Sequence, residues 1–216
     1  MEHAVTPGHA AAAGHAEHET STGLDHRKLL MWAFLGSDCL FFGSFISTYM
    51  IYRGRSLVGP CPHEMVLPNG SPCDGVFNIP YTSVSAFVLL MSSVTMVLAL
   101  AAIQRGNHRG LRVWLLATAL LGSVFVGGQY FEFTTFWQHG LHLDTNLFGT
   151  TFFVLTGFHG AHVTLGIIML LSLLATSLMG RLPVSDSLTV ELTGLYWHFV
   201  DVVWIVIFTV VYLLPI

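Results

Sequence analysis

Charged side chains are scarce in this sequence. Asp, Glu, Lys and Arg make up 9% of its 216 residues, whereas soluble domains carry roughly 25%. Cysteine is also scarce, with three residues and no CxxC spacing, which argues against a zinc site built from cysteines. Apolar residues fill the chain instead, at 53% of the total, and the mean hydropathy is +0.68. The composition therefore predicts a polytopic membrane protein and leaves little chain for a soluble domain.

Long apolar windows define the predicted fold. A helix needs roughly 20 apolar residues to cross about 30 Å of hydrocarbon. Five windows are long enough, at about 29–52, 84–103, 114–136, 147–179 and 192–214. We therefore predict an all-α fold, in which residues 29–216 form a membrane bundle of five transmembrane helices.

The basic residues predict the orientation of this bundle. Lys and Arg collect in short cytoplasmic flanks, and an inside N-terminus would put six of the eight basic residues in the cytoplasm: Arg27, Lys28, Arg105, Arg109, Arg112 and Arg181. Only Arg53 and Arg55 would lie outside. We predict an N-in, C-out topology. Residues 1–28 are histidine-rich but lack an apolar signal-peptide core, so we expect a disordered cytoplasmic tail.

Two of the cysteines share the long loop between the first two predicted helices. Cys61 and Cys73 lie in a segment rich in proline and glycine, which is outside on the predicted topology. An oxidising compartment permits a disulfide between them. The alternative is two thiols that happen to share a loop. Cys39 lies in the first span, where we expect a small packing residue.

Few ionisable or amide side chains fall inside the predicted spans. Such groups are costly in hydrocarbon and should face the bundle interior or a protein partner. Those in the third, fourth and fifth helices form pairs three residues apart, so that the members of each pair share a face. The set comprises Asp38, Gln129, Glu132, His159, His162, His198 and Asp201.

Three interpretations of this set remain open on the residues alone. The histidines could ligate haem or copper, although His159 and His198 fall at different depths. The carboxylates of Asp38, Glu132 and Asp201 could form an independent proton or ion pathway. Transporters often contain internal repeats or helices broken by proline, but this sequence shows no repeat and no proline lies inside a predicted span. The third interpretation is interhelical hydrogen bonding that fixes a bundle serving a partner, and it is favoured.

Glycines in the third and fourth helices fit the third interpretation, because small residues let helices approach closely. We expect this role for Gly122, Gly127, Gly128, Gly157, Gly160 and Gly166.

Four stretches of the chain resemble subunit III of the haem-copper terminal oxidases. The two longest are GTTFFVLTGFHGAHVTLG at 149–166 and YWHFVDVVW at 196–204. GSDCLFF at 36–42 and QYFE at 129–132 are also similar, so the resemblance runs from about residue 29 to the C-terminus, apart from the Cys61–Cys73 loop. Asp38 departs from the mitochondrial-type pattern, which has a glutamate there. Shorter bacterial forms, including quinol oxidases, resemble the chain more closely at this position.

The resemblance implies a five-helix, non-catalytic subunit of a respiratory oxygen reductase. Its partners would be subunit I, in direct contact, and subunit II, and these would hold the haem and copper. The chain itself would have no redox centre or metal and would be an accessory subunit of the enzyme. It would bind phospholipid, support proton uptake and protect the catalytic site during turnover. We expect cytochrome c as the electron donor, with quinol as the alternative, and no nucleic-acid partner.

Individual residues acquire expected roles from these arguments. Asp38, Glu132 and Asp201 are the buried carboxylates that would support proton uptake. Gln129, His159, His162 and His198 would form interhelical hydrogen bonds. Arg105, Arg109 and Arg112 cluster at the inner interface, where guanidinium groups can pair with anionic headgroups. Ordinary positive-inside flanking is the alternative for these three arginines.

Overall fold

The computed structural model describes residues 25–53, 55, 60–61, 63–66, 70–73, 75, 77–183 and 186–214. Within these ranges five helices are long and apolar enough to cross a membrane. They are α1 (His26–Tyr52), α2 (Ile79–Gln104), α3 (His108–Gln138), α4 (Leu147–Leu178) and α5 (Ser187–Phe208). A π-helical turn, Thr209–Leu213, continues α5. The predicted all-α bundle of five membrane-spanning helices is confirmed. Residues 1–24 of the predicted tail lie outside the described residues.

Side-chain caps explain why α2 and α3 begin several residues before their apolar windows. The Asn78 side chain accepts a hydrogen bond from the Tyr81 N–H at 3.3 Å, and the Asn107 side chain accepts one from the Gly110 N–H at 2.9 Å. Such caps satisfy backbone donors that the first helical turn leaves free. Gly106, with φ 71°, ends α2 in the left-handed conformation that glycine tolerates best. These signals make the α2–α3 connection a tight turn.

The helices pack as a four-membered ring with one helix outside it. Contacts run from α2 to α3, α3 to α4, α4 to α5, and α5 back to α2. Helix α1 packs on α4 and α5 and is the least buried span, with 11% of its most apolar window buried, against 50% for the span formed by α5 and the π-helical turn. Among the described helices, the last in the chain is therefore the most buried.

The α1–α2 loop contains a small sheet that the sequence did not predict. Strand β1 (Met65–Val66) pairs antiparallel with β2 (Pro72–Cys73). The loop is tied to the bundle at Phe77, whose ring lies 4.5 Å from that of Tyr212 and 5.3 Å from that of Phe152. These ring contacts cover the end of the bundle opposite Arg105, Arg109 and Arg112.

Candidate functional site

Six of the seven predicted polar residues lie in three groups and not in one pocket, and His159 lies apart from them. Gln129, Glu132, His159 and Asp201 are buried, whereas Asp38, His162 and His198 are half-buried. Each group connects particular helices, and together they form the candidate site.

The first group joins α2 to α3. Glu132 accepts a hydrogen bond from the Thr82 hydroxyl on Oε1 at 2.7 Å and another from the Gln129 amide on Oε2 at 3.0 Å. The buried Tyr212 hydroxyl lies beside the same carboxylate, but it makes no hydrogen bond among the described residues. Both oxygens of Glu132 therefore have a donor, as a buried carboxyl group needs. The π-helical turn after α5 brings Tyr212 to this place.

The second group joins α2 to α5 through two consecutive serines. The Ser92 hydroxyl accepts a hydrogen bond from the Trp197 indole N–H at 3.0 Å. The Ser93 hydroxyl lies 2.6 Å from Nδ1 of His198 and also interacts with the carboxylate of Asp201. The Oδ1 atom of Asp201 is buried and has no hydrogen-bond partner among the described residues. One short polar segment of α2 thus holds three residues of α5.

His159 occupies an aromatic cage in the same central region. Its ring stacks on Trp204 at 5.0 Å and 23°, and it meets the edges of Phe125 and Phe42 at 6.1 and 6.3 Å. The residue is 1% exposed, and neither ring nitrogen has a hydrogen-bond partner within the described part of the chain. The sequence predicts an interhelical hydrogen bond for His159, whereas the observed contacts are between aromatic rings.

The third group joins α1 to α4. Oδ2 of Asp38 lies 3.8 Å from Nε2 of His162, and Nδ1 of His162 lies 2.7 Å from the Phe158 carbonyl oxygen. From α5, the Tyr196 hydroxyl donates to the backbone carbonyl of His162 at 3.0 Å. Asp38 of α1, the least buried helix, therefore lies against the segment of α4 that carries His159 and His162.

Trp197 shows where close helix approach requires glycine. A Cβ atom on Gly122 would lie 2.5 Å from the Trp197 ring, and one on Gly166 would lie 2.9 Å from it. The indole is thus held between α3 and α4 while its N–H reaches α2. A Cβ atom on Gly128 would meet hydroxyl groups of α2 at 3.3 and 3.4 Å.

For the other three glycines the predicted role is wrong within the described part of this chain. A Cβ atom on Gly127, Gly157 or Gly160 would find nothing within 4 Å. The pattern of small residues alone does not show which glycines face a neighbouring helix.

The basic residues of the predicted inner face gather at one end of the bundle. Arg105 and Arg109 are exposed. Arg112 instead donates from its guanidinium to the Ser177 carbonyl at 2.7 Å and to the Ser177 hydroxyl at 3.2 Å. A cation at the carbonyl end of a helix is favourable, so Arg112 fastens α3 to the last turn of α4. Lys28 pairs with Glu191 at 2.7 Å between α1 and α5.

The cysteines are resolved only in part. Cys61 is buried and disulfide-bonded, and Cys39 is free and exposed. The backbone of Cys73 pairs with Met65, but its side chain lies outside the described part of the structure. The Cys61–Cys73 disulfide stays a prediction.

The three membrane-embedded histidines do not converge on a common point. His198 is 11 residues into α5, roughly 17 Å from the basic end, whereas His159 is 19 residues before the end of α4, roughly 29 Å from it. Among the described residues, no group of three or more His, Cys, Asp or Glu could hold a metal ion. The arrangement can hydrogen-bond helices together and can hold protons.

Comparisons with known proteins match nearly the whole chain. The family model for cytochrome c oxidase subunit III matches residues 8–215. This range includes the Cys61–Cys73 loop and most of the histidine-rich tail, which lie outside the stretches that carry the resemblance. Quinol oxidase subunit 3 of Bacillus subtilis is 35% identical over 99% of this chain and 98% of its own. Cytochrome c oxidase subunit 3 of Thermostichus vulcanus is 36% identical over 96% and 94%. The Synechocystis protein of the same name is 38% identical over 97% and 82%.

Proposed function

Because the chain belongs to the cytochrome c oxidase subunit III family, we propose that it is a structural subunit of a haem-copper oxidase in the bacterial cytoplasmic membrane. It docks on the catalytic subunit I, assembles with subunit II, and holds no redox centre of its own. Haem and copper belong to those partners. The N-terminus lies inside and the C-terminus outside, with the basic end of the bundle facing the cytoplasm.

One observation carries this proposal: polar side chains of the interior hold helices to each other. Thr82 and Glu132 join α2 to α3, Ser93 and His198 join α2 to α5, and Asp38 of α1 lies against α4. Apolar side chains at these positions would cost less free energy to bury than the polar ones. Polar contacts fix the register of packed helices more specifically than apolar ones, and a subunit that must present one fixed surface to its partner needs such register.

The electron donor we propose is cytochrome c. The relatives from Thermostichus vulcanus and Synechocystis carry that donor in their names. A quinol is the second candidate, favoured by the Bacillus subtilis relative, whose match spans nearly its whole length. Oxygen consumption by the purified complex with reduced cytochrome c, and separately with a soluble quinol, distinguishes the two donors.

Phospholipid and proton uptake complete the proposal. Arg105 and Arg109, exposed at the basic end, would pair with anionic headgroups. Arg112 joins them only with the part of its guanidinium that Ser177 does not occupy. Asp38, Glu132 and Asp201 are the carboxyl groups that would support proton uptake. Unchanged lipid content in a complex that carries both Arg105→Gln and Arg109→Gln would contradict a headgroup site at these two residues.

The decisive experiment isolates the complex through a tag on this chain. A reduced-minus-oxidised spectrum should show haem bands in the complex and none after the chain is stripped from its partners. Haem that stays with the isolated chain would contradict the proposal and make the histidines ligands. Proton flux through liposomes containing the chain alone would favour an independent transporter instead.

A single variant tests the structural role within the complex. Asp201→Asn should weaken docking of the chain while the haem content per catalytic subunit stays constant. A fully assembled complex with an altered haem ratio would contradict this expectation.

A further inference from the structure

The ring of His198 reaches the surface of the bundle near the middle of its span. Its Nδ1 atom lies 2.6 Å from the Ser93 hydroxyl, so Nε2 is the ring nitrogen that faces away from this contact. Nε2 is accessible and makes no hydrogen bond among the described residues. His198 lies 11 residues after the start of α5, and Ser93 lies 11 residues before the end of α2. Both are therefore roughly 17 Å from the basic end, well inside hydrocarbon about 30 Å thick.

Exposed hydroxyl groups elsewhere in the spans differ from this ring nitrogen. Ser37 and Ser44 of α1 each donate at 2.7 Å to a carbonyl group three residues earlier in the same helix. Thr164 of α4 donates at 2.8 Å to a carbonyl group four residues earlier. Such contacts satisfy a hydroxyl group within its own helix, so it can face lipid. Nε2 of His198 has no such partner on α5, and lipid tails offer none.

A carboxyl group beside His198 is also short of partners. Asp201 follows His198 by three residues, so the two side chains lie on one face of α5. It is 4% exposed and shares the Ser93 hydroxyl with His198, while its Oδ1 atom has no hydrogen-bond partner among the described residues. Polar groups at this depth face the bundle interior or a partner. The cluster of Ser93, His198 and Asp201 therefore indicates a protein neighbour and not lipid.

The surface around this cluster is apolar. On α2, Leu90 and Val97 lie three residues before and four residues after Ser93, on the same side of the helix. On α5, Val202 lies four residues after His198. All three apolar side chains are exposed. We call the surface formed by these five residues the α2–α5 face. An apolar surface with a polar atom at its centre suits a membrane-spanning helix that carries a hydrogen-bonding side chain.

We propose that the chain docks on the catalytic subunit I through the α2–α5 face, where Nε2 of His198 hydrogen-bonds to a polar side chain of a membrane-spanning helix of that subunit. The inference rests on the proposed function and names the docking surface that this function requires. Family membership favours subunit I as the occupant, because the partner must span the membrane and offer a hydrogen bond at this depth. Asp201 is a positioning residue: it holds Ser93, which holds the His198 ring.

The first test maps the docking surface in the intact complex. A photo-reactive amino acid is placed at Val97 or Val202, and at Leu171 or Val124 as controls on α4 and α3, the pair of helices opposite α2 and α5 in the ring. Val97 and Leu171 are 53% and 46% exposed, and each lies seven residues from the basic end of its helix. Val202 and Val124 are 56% and 62% exposed, and they lie 15 and 16 residues from that end. Irradiation should join Val97 and Val202 to the haem-carrying subunit and leave the controls unjoined.

The outcomes separate this inference from the proposed function. The α2–α5 face would be overturned, with the proposed function intact, if a complex that keeps its haem bands gave adducts from the controls alone, from all four positions or from none. Adducts of Val97 and Val202 with a second copy of the chain, or with a subunit that carries no haem, would overturn the choice of subunit I. A complex without any haem-carrying subunit would contradict the proposed function and this inference with it.

Two substitutions of His198 test the hydrogen bond itself. The amide of His198→Asn reaches about as far as Nδ1 and can still contact Ser93, but it has no atom in the place of Nε2. The longer amide of His198→Gln reaches the place of Nε2. Loss of one hydrogen bond between membrane helices should weaken retention of the His198→Asn chain in the complex by about threefold to 30-fold, and His198→Gln should restore it.

Retention is measured by titrating the complex with detergent, and unfolding of each purified chain is measured beside it. The unfolding of His198→Asn should match that of wild type, because the contact with Ser93 is kept. Wild-type retention of His198→Asn would overturn the hydrogen bond to subunit I. Weaker retention that is fully matched by a less stable purified chain would show that His198 acts only within the bundle, and it would overturn the hydrogen bond as well.

Discussion

The packing of Trp197 between two glycines gives a prediction with a matched control on the same helix. In Gly122→Ala the new methyl would lie 2.5 Å from the ring, so the indole or α3 must shift by roughly 1 Å to restore ordinary contact. Overpacking of this kind costs about 1–3 kcal/mol. Displacing the indole also loosens its hydrogen bond to Ser92, for about 1 kcal/mol more. The two costs sum to roughly 2–4 kcal/mol.

Gly127→Ala is the control, because Gly127 lies five residues further along α3 and a Cβ atom there meets nothing within 4 Å. Both changes gain the same helix propensity, about 1 kcal/mol, so this term cancels in the comparison. The two variants should differ by roughly 2–4 kcal/mol, which is about 30-fold to 700-fold in the unfolding equilibrium.

The assay is equilibrium unfolding of the purified chain in mixed micelles titrated with a denaturing detergent, followed by tryptophan fluorescence. Gly166→Ala should behave like Gly122→Ala, because its methyl would lie 2.9 Å from the other edge of the same indole. Equal stability of Gly122→Ala and Gly127→Ala would refute the reasoning about Trp197.

Three further changes test single contacts. Thr82→Val leaves Glu132 without one donor and should cost about 1–3 kcal/mol of chain stability, measured by the same titration, with Thr82→Ser near wild type. Arg112→Met should loosen the last turn of α4, seen as faster hydrogen exchange there, whereas unchanged exchange would show that its contacts contribute nothing. Burial and then Arg53 lower the pKa of His63 below its usual 6.5, so the folded loop favours the neutral ring. Loop stability should be full above about pH 6.5 and fall as pH drops towards the folded pKa. Proteolysis of the loop against pH should show this fall in wild type and lose it in His63→Gln.

The fold was predictable because span length and polarity are properties of the local sequence. Hydropathy located all five helices, but it missed the starts at Asn78 and Asn107, where side-chain caps and not apolar residues extend the helix. The small sheet in the loop was missed as well, since two-residue strands carry no periodic signal.

The candidate site was predictable only in its ionisable members and in Gln129. Asp38, Glu132 and Asp201 stand out because charge is rare in hydrocarbon. Their partners do not stand out: Ser93 and Thr82 are ordinary small polar residues of α2, and what marks them is the neighbour they face. Which glycines contact another helix likewise depends on helix rotation, which the sequence does not state.

The position of α1 in the bundle affects how the chain folds while it is being synthesised. It packs on α4 and α5, and 94 residues separate its end at Tyr52 from the start of α4 at Leu147. At roughly 5–20 residues per second, translation takes about 5–20 s to cover that distance. During that interval α1 lacks both helices on which it packs, and Asp38 lacks its neighbour His162. Stop codons before α4 should therefore yield fragments that membrane proteases remove quickly.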